Sequence, residues 1–242
     1  MLMKNFKDFF TTKRLVFIAL FALFAFITQR INFSGLVGAE NQFFTVFQFF
    51  GPIAGAFLGP VVGVIAVFLA EVTDFFIVGK EATLVNLMRL APMLFATYFF
   101  ATMNSSQRTR MFKVFVPLAA ILLFVLHPVG REAWFFSLYW TIPIIAVLLP
   151  KKYSNSIIAR SLGATFTAHA VGGALWIWTV PMTAGQWIGL IPVVAYERLM
   201  FAAGIGISYV VFNVLFDKVL DKLKIEVPSD ILKIDKRFTL KA

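Results

Sequence analysis

Long apolar runs, broken by short polar stretches, occupy most of the chain. A helix rises 1.5 Å per residue, so about 20 residues cross a hydrocarbon core about 30 Å thick. The runs predict eight transmembrane helices, at about 15–28, 43–58, 60–78, 83–103, 114–126, 133–149, 157–179 and 186–216. Run five is short for a span, and the eighth carries a break at Pro192. The separators are a polar loop at 29–42, the turn Gly79-Lys80-Glu81, a basic loop at 104–113, a turn at 127–132 and Pro150-Lys151-Lys152. Residues 1–12 mix Phe6, Phe9 and Phe10 with Lys4 and Lys7, which suits a helix lying on a membrane surface. The expected fold class is an all-α polytopic bundle of about eight spans over residues 1–216. A charged cytoplasmic tail follows at 217–242.

The second and third runs meet in a distinctive stretch. Glycine recurs at Gly51, Gly55, Gly59 and Gly63, and Gly-Pro occurs at 51–52 and again at 59–60. Four-residue spacing lays a smooth stripe along one helix face, where another backbone can approach closely. Proline disfavours helical geometry in the residue before it, so one helix should end at Gly59. A single helix from 43 to 78 would be roughly 54 Å long, far more than one crossing requires. The stretch therefore predicts a tight helical hairpin.

Composition agrees with a membrane protein: 60% of residues are hydrophobic and 14% charged, where soluble domains carry about 25% charged residues. The mean hydropathy is +0.86. Cysteine is absent, which excludes disulfides, thiolate metal sites and cysteine nucleophiles. The net charge of +10 raises nucleic acid as a partner, but its distribution argues otherwise. With eight spans, seventeen of the 22 basic residues fall on the side of the termini. Three (Arg30, Lys80 and Arg131) fall on the other side, and Arg89 and Arg198 lie within spans. This is the positive-inside pattern of a multi-pass protein of the cell membrane with both termini cytoplasmic, and no nucleic-acid partner is needed. A positive start before an apolar run also describes a signal peptide. The cleavage-like Val37-Gly38-Ala39 lies too far beyond the run, so the first span is expected to be retained.

Ionisable groups within spans are costly, so each is a candidate for function. Glu71 and Asp74 share a face of the third span; Asn86 and Arg89 repeat that spacing on the fourth. Thr165, His169, Gly172 and Trp176 share a face of the seventh. Glu197 and Arg198 lie deep in the eighth and, being adjacent, are expected to find different partners. Most of these groups sit in the outer half, which fits an outward-facing polar cavity for a small solute. The competing reading is structural: Glu71 or Asp74 paired with Arg89 would clamp spans three and four. His169 would then be a hydrogen-bonded packing residue, and Trp176, Trp178 and Trp187 interfacial belt residues. Neither H-E-x-x-H nor G-x-S-x-G occurs, and no P-loop is present, so the chain is not expected to be an enzyme or to hydrolyse ATP itself. No cofactor or metal site is expected.

The run GPIAGAFLGPVVGVIAVFLAEVTD, Gly51 to Asp74, resembles the second and third helices of substrate-binding S components of energy-coupling-factor (ECF) vitamin transporters. The small-residue first span, with Ala19, Ala22 and Ala25, is similar to their first helix. The resemblance covers about the first hundred residues. It implies a six-helix core that captures a vitamin-like solute or metal from outside, and partners in a transmembrane coupling protein and two ATPase subunits. By the same resemblance Ala19, Ala22 and Ala25 would face the coupling protein, although their spacing here is three rather than the family's four. Glu71, Asp74, Asn86, Arg89, His169, Trp176, Glu197 and Arg198 are the residues expected at the solute site. Two other classes stay open: an intramembrane enzyme on a lipid-like substrate, with His169 and Glu197 as acid and base, and a structural or assembly protein whose buried charges fix packing.

Overall fold

A computed structural model describes residues 12–38, 40, 42–102, 106–222 and 232–239. Residues 1–11 of the expected surface helix, and 223–231 and 240–242 of the tail, lie outside the described residues. Helices dominate: α1 (Thr12–Gln29), α2 (Phe47–Phe50), α3 (Ala54–Leu58), α4 (Pro60–Ile77), α5 (Leu84–Met88), α6 (Ala91–Ala101) and α7 (Gln107–Leu126). They continue with α8 (Pro128–Glu132), α9 (Thr141–Leu148), α10 (Lys151–Ser154), α11 (Ile157–Ile177) and α12 (Ala184–Lys222). Short 3-10 turns at Gly51–Ile53 and Trp134–Trp140 join α2 to α3 and lead into α9.

Helical structure falls in each of the eight places the apolar runs mark. Four stretches are long and apolar enough to cross a membrane: Pro60–Ile77, Leu84–Ala101, Gln107–Leu126 and Ala184–Lys222. Phe47–Leu58 and Trp134–Leu148 are apolar but shorter. Large apolar side chains stay exposed along the long helices, among them Val61 and Phe68 on α4, Phe115 and Leu122 on α7, and Leu199 and Ile207 on α12. Such surfaces need a lipid or protein covering.

The glycine stretch folds as the hairpin its sequence predicts. Gly59, at φ 85°, ends α3 in a conformation that side chains rarely adopt, and Pro60 opens α4 at its first position, where a missing N–H costs nothing. The helices then press backbone to backbone. A Cβ on Gly63 would lie 2.3 Å from the Gly55 Cα, and one on Gly55 would lie 2.8 Å from the Thr97 carbonyl oxygen on α6.

Elsewhere the structure departs from the sequence reading. The 29–42 loop and the residues after it form an antiparallel hairpin of β1 (Asn32–Gly35) and β2 (Phe43–Thr45), with an irregularity where Phe33 has no cross-strand partner. Its tip packs near the α11–α12 connection, since a Cβ on Gly38 would meet Met182 and Val180. The basic loop at 104–113 is largely the first turns of α7, where Lys113 is buried. The fourth run is interrupted after α5, placing Arg89 at the break rather than within a continuous helix. Pro192 does not break α12, which runs on to Lys222 and takes in the start of the tail; a proline removes one backbone hydrogen bond, and apolar helices with packed neighbours tolerate that. The alanine face of α1 is corrected too. Ala19 and Ala22 are exposed, but Ala25 is fully buried with Phe21 in the core. Three-residue steps advance about 300° each, so the three alanines cannot share one stripe.

The bundle thus has two ends. The turn end carries Gly59 and the returning segment 232–238, whose Lys233 N–H donates to the Phe57 carbonyl (2.8 Å). The hairpin end carries β1–β2 and the far termini of α1 and α4.

Candidate functional site

A cavity of about 500 Å³ opens beneath the β-hairpin, between α4, α5, α11 and α12. All eight residues expected at a solute site line it, though they come from four helices and span more than 120 positions of sequence.

Asp74, one turn from the end of α4, is buried and takes two cations: Arg30 from the end of α1 and Lys80 Nζ at 2.7 Å. The Arg30 guanidinium also lies 4.4 Å over the Phe26 ring. Glu71, one turn deeper on α4, is half-buried against the cavity. Asn86 on α5 accepts from Gln42 Nε2 (3.0 Å) and donates through Nδ2 to the Glu81 carbonyl (3.0 Å). Arg89 donates through Nη2 to the Phe43 carbonyl at 2.7 Å. The β2 side of the hairpin is therefore tied to the wall at two places. A direct clamp of Arg89 on Glu71 or Asp74 does not form among the described residues. Asp74 is already held by Arg30 and Lys80, and Arg89 is turned to the strand.

On α11, His169 sits in an aromatic box, with ring centroids 5.5 Å from Phe136, 6.0 Å from Trp140 and 6.3 Å from Phe166. The box exists because Gly173 leaves room for Trp140: a Cβ there would lie 2.6 Å from the indole. Trp140 Nε1 donates to His169 Nδ1 (3.1 Å), which leaves the ring proton on Nε2. Trp176, two turns further along, also lines the cavity. On α12, Arg198 and Glu197 meet each other, Nη2 to Oε2 at 3.5 Å. The expectation of separate partners fails because long side chains can curl back although adjacent Cβ positions diverge. Two rings, Phe44 at 4.5 Å and Phe201 at 4.6 Å, flank the Arg198 guanidinium, so the hairpin packs on this charge as well.

Sequence reasoning missed the hairpin's part in the site. Gln42, Phe43 and Phe44 line the cavity, as do Arg30 and Lys80, which count in the sequence only as stray cations outside the spans. The available signal was their position: each follows a span end close to where an acidic residue must also emerge. Trp187 lines the cavity rather than serving as a belt residue, and its buried Nε1 has no hydrogen-bond partner among the described residues. No group of three His, Cys, Asp or Glu able to hold a metal ion comes together among the described residues.

The fold and the cavity define a helical, membrane-type protein with a polar chamber capped by a short β-hairpin. The chain is similar to an uncharacterized protein of Methanocaldococcus jannaschii, 24% identical over 220 residues that cover 85% of this chain and 72% of that protein. No family model and no solved structure matches it.

Proposed function

We propose that the chain is the substrate-binding membrane subunit of an ECF-type importer, capturing a small polar organic solute in the chamber beneath the β-hairpin. One observation carries the reading: eight polar or aromatic residues, scattered along the sequence and costly in a membrane, line a single cavity of about 500 Å³. That volume suits a small organic molecule. The donor set suits a metal ion poorly, because the Asp74 and Glu197 carboxylates are already engaged by cations. The enzyme reading draws less support, since His169 Nδ1 is occupied by the Trp140 indole.

In this reading the protein lies in the cell membrane with both termini cytoplasmic and the chamber facing outward. Ala19 and Ala22 remain on the exposed side of α1, available to a coupling protein. Purification from native membranes in mild detergent should bring down two ATPase subunits and a transmembrane partner. Recovery without any ATP-hydrolysing subunit would overturn the importer assignment. Orientation is checked with single cysteines at Gly35 and Ser106: an impermeant thiol reagent applied outside should label only the first. Labelling of Ser106→Cys instead would turn the chamber to the cytoplasm.

A further inference from the structure

Several of the charged and polar groups around the chamber are spent on one another. Asp74 holds Arg30 and Lys80, Glu197 holds Arg198, and Asn86 is bonded on both sides of its amide. Two are not spent. Glu71 makes no hydrogen bond and no ion pair among the described residues, although Lys80 and Arg89 lie within electrostatic reach. Arg89 uses one N–H on the Phe43 carbonyl, and a guanidinium has five. These two groups have opposite charge and line the same cavity from neighbouring helices. They are kept from closing on each other because strand β2 holds Arg89. A carboxylate without donors at membrane depth is costly, and so is a guanidinium with most of its donors idle. Aromatic rings also line the cavity, among them Phe43, Phe136, Trp176 and Trp187.

We propose that the solute is an amino-acid-like zwitterion with an apolar body: its ammonium group is received by Glu71, its carboxylate by Arg89, and its body by the aromatic walls. The assignment rests on the solute-binding reading and narrows it to a chemical class. A solute carrying both charges supplies each idle group with its counter-ion and adds no net charge to the chamber. A solute carrying only one leaves the other group unpartnered, and the energetic penalty of that group remains.

Three probes with one benzyl body separate the contributions: L-phenylalanine, 2-phenylethylamine without the carboxylate, and 3-phenylpropionate without the ammonium. Binding is measured by calorimetry on the full chain in lipid nanodiscs. Wild type should bind phenylalanine about tenfold or more tighter than either half-probe, since each lost contact is a charge-assisted hydrogen bond. Glu71→Gln should erase the preference over 3-phenylpropionate, with phenylalanine falling about tenfold while 3-phenylpropionate is still bound at least as tightly as by wild type. Arg89→Gln should erase the preference over 2-phenylethylamine, with phenylalanine falling about tenfold while the amine is still bound at least as tightly as by wild type. Retained half-probe binding also shows that the variants are folded. Wild type that binds a half-probe as tightly as phenylalanine, or binds none of the three, overturns the zwitterion assignment. Co-purifying ATPases would still support the importer reading in that case. Binding as expected without ATPases would keep the zwitterion site and remove the ECF assignment.

Discussion

Both ends of the bundle bury charge, and they do so differently. At the turn end three cations meet carbonyl oxygens at the C-terminal ends of neighbouring helices. Lys113 Nζ donates to the Thr102 carbonyl at 3.1 Å, and Arg110 Nη2 to Val147 at 3.0 Å. Arg160 donates through Nε and Nη2 to the Phe100 carbonyl, at 3.2 and 2.9 Å. A helix C-terminus presents unbonded carbonyls and the negative end of its dipole, so cations there complete the helix. The Arg160 guanidinium also lies 4.2 Å over the Phe100 ring, and Lys113 Nζ lies 4.4 Å over Phe99. At the hairpin end the charges pair around an open volume, and Glu71 and Arg89 keep unspent capacity. Burial of a charge therefore does not distinguish structure from site. What distinguishes them is whether unspent hydrogen-bonding capacity faces a cavity, as at Glu71 and Arg89, or the exposed surface, as at Arg110.

The largest effect is expected at the turn end. Gly63→Leu forces a side chain where a Cβ alone would sit 2.3 Å from the Gly55 backbone, so α3 and α4 must separate. Overpacking costs about 1–3 kcal/mol where side chains can yield, and a backbone neighbour cannot. The variant should lose most of its folded yield, and Gly55→Leu should behave similarly against Thr97. Normal yield and melting temperature for both would remove the close-packing claim.

Next comes Arg160. Arg160→Met keeps an apolar stem but leaves the buried Phe100 carbonyl without its donor. The loss should be about 1–3 kcal/mol of stability, read as a lower melting temperature, with solute affinity unchanged. A variant of normal stability that fails to bind solute would break the comparison, because the turn end would then belong to the site.

Much of this division was legible in the sequence, for a physical reason. Every ionisable residue in an apolar run opposes membrane insertion, so Glu71, Asp74, Arg89, Glu197 and Arg198 each demanded an explanation, and all five line the cavity. The hairpin turn was legible because Gly59-Pro60 acts on local backbone geometry, which does not depend on tertiary context. Three things were not legible. The strands are four and three residues long and pair across a polar loop, with Phe33 breaking the register, so no alternating pattern marks them. The basic stretch before Val114 reads as a loop because cations favour water; Lys113 and Arg110 also bond to carbonyls at helix ends on other elements. The partners of Asp74 come from α1 and from the loop after α4, and only the assembled bundle brings them together.

At the hairpin end, Arg89→Ala should cost little stability, within about 1 kcal/mol, because it breaks one bond to a strand carbonyl and no ion pair. Solute affinity should fall about tenfold or more. Removing Glu71 as well should not restore melting temperature or binding. The four proteins (wild type, both single variants and the double) are compared for melting temperature and solute retention. Strong destabilisation by Arg89→Ala that the double variant reverses would instead mark the pair as a clamp and take the hairpin end out of contention as a site.

The smallest effect concerns the segment that folds back on the turn end. Asp235 accepts from Arg237, Nη2 to Oδ2 at 2.6 Å, and from the Tyr209 hydroxyl at 3.2 Å, while its own N–H donates to Asn213 Oδ1 at 2.7 Å. The hydrogen bond from the Arg237 side chain, above all, holds the Asp235 carboxyl below its ordinary range, and burial opposes this only in part. A carboxyl whose pKa is lower folded than unfolded contributes stability that is complete above its ordinary pKa of about 4 and is lost as pH falls through the lowered value. Arg237 is more than half exposed, so the carboxylate's share should be under about 1 kcal/mol. A nitroxide on Thr239→Cys reads it directly. Its spectrum should be immobilised at pH 7 and unchanged down to about pH 4, then gain mobility as Asp235 protonates. Asp235→Asn should be mobile throughout, with solute affinity unaltered because the chamber lies at the other end. A label that stays immobilised at the lowest pH would show that the backbone bonds to Phe57 and Asn213 hold the segment without the carboxylate. Loss of solute affinity in Asp235→Asn would show that the two ends of the bundle are coupled.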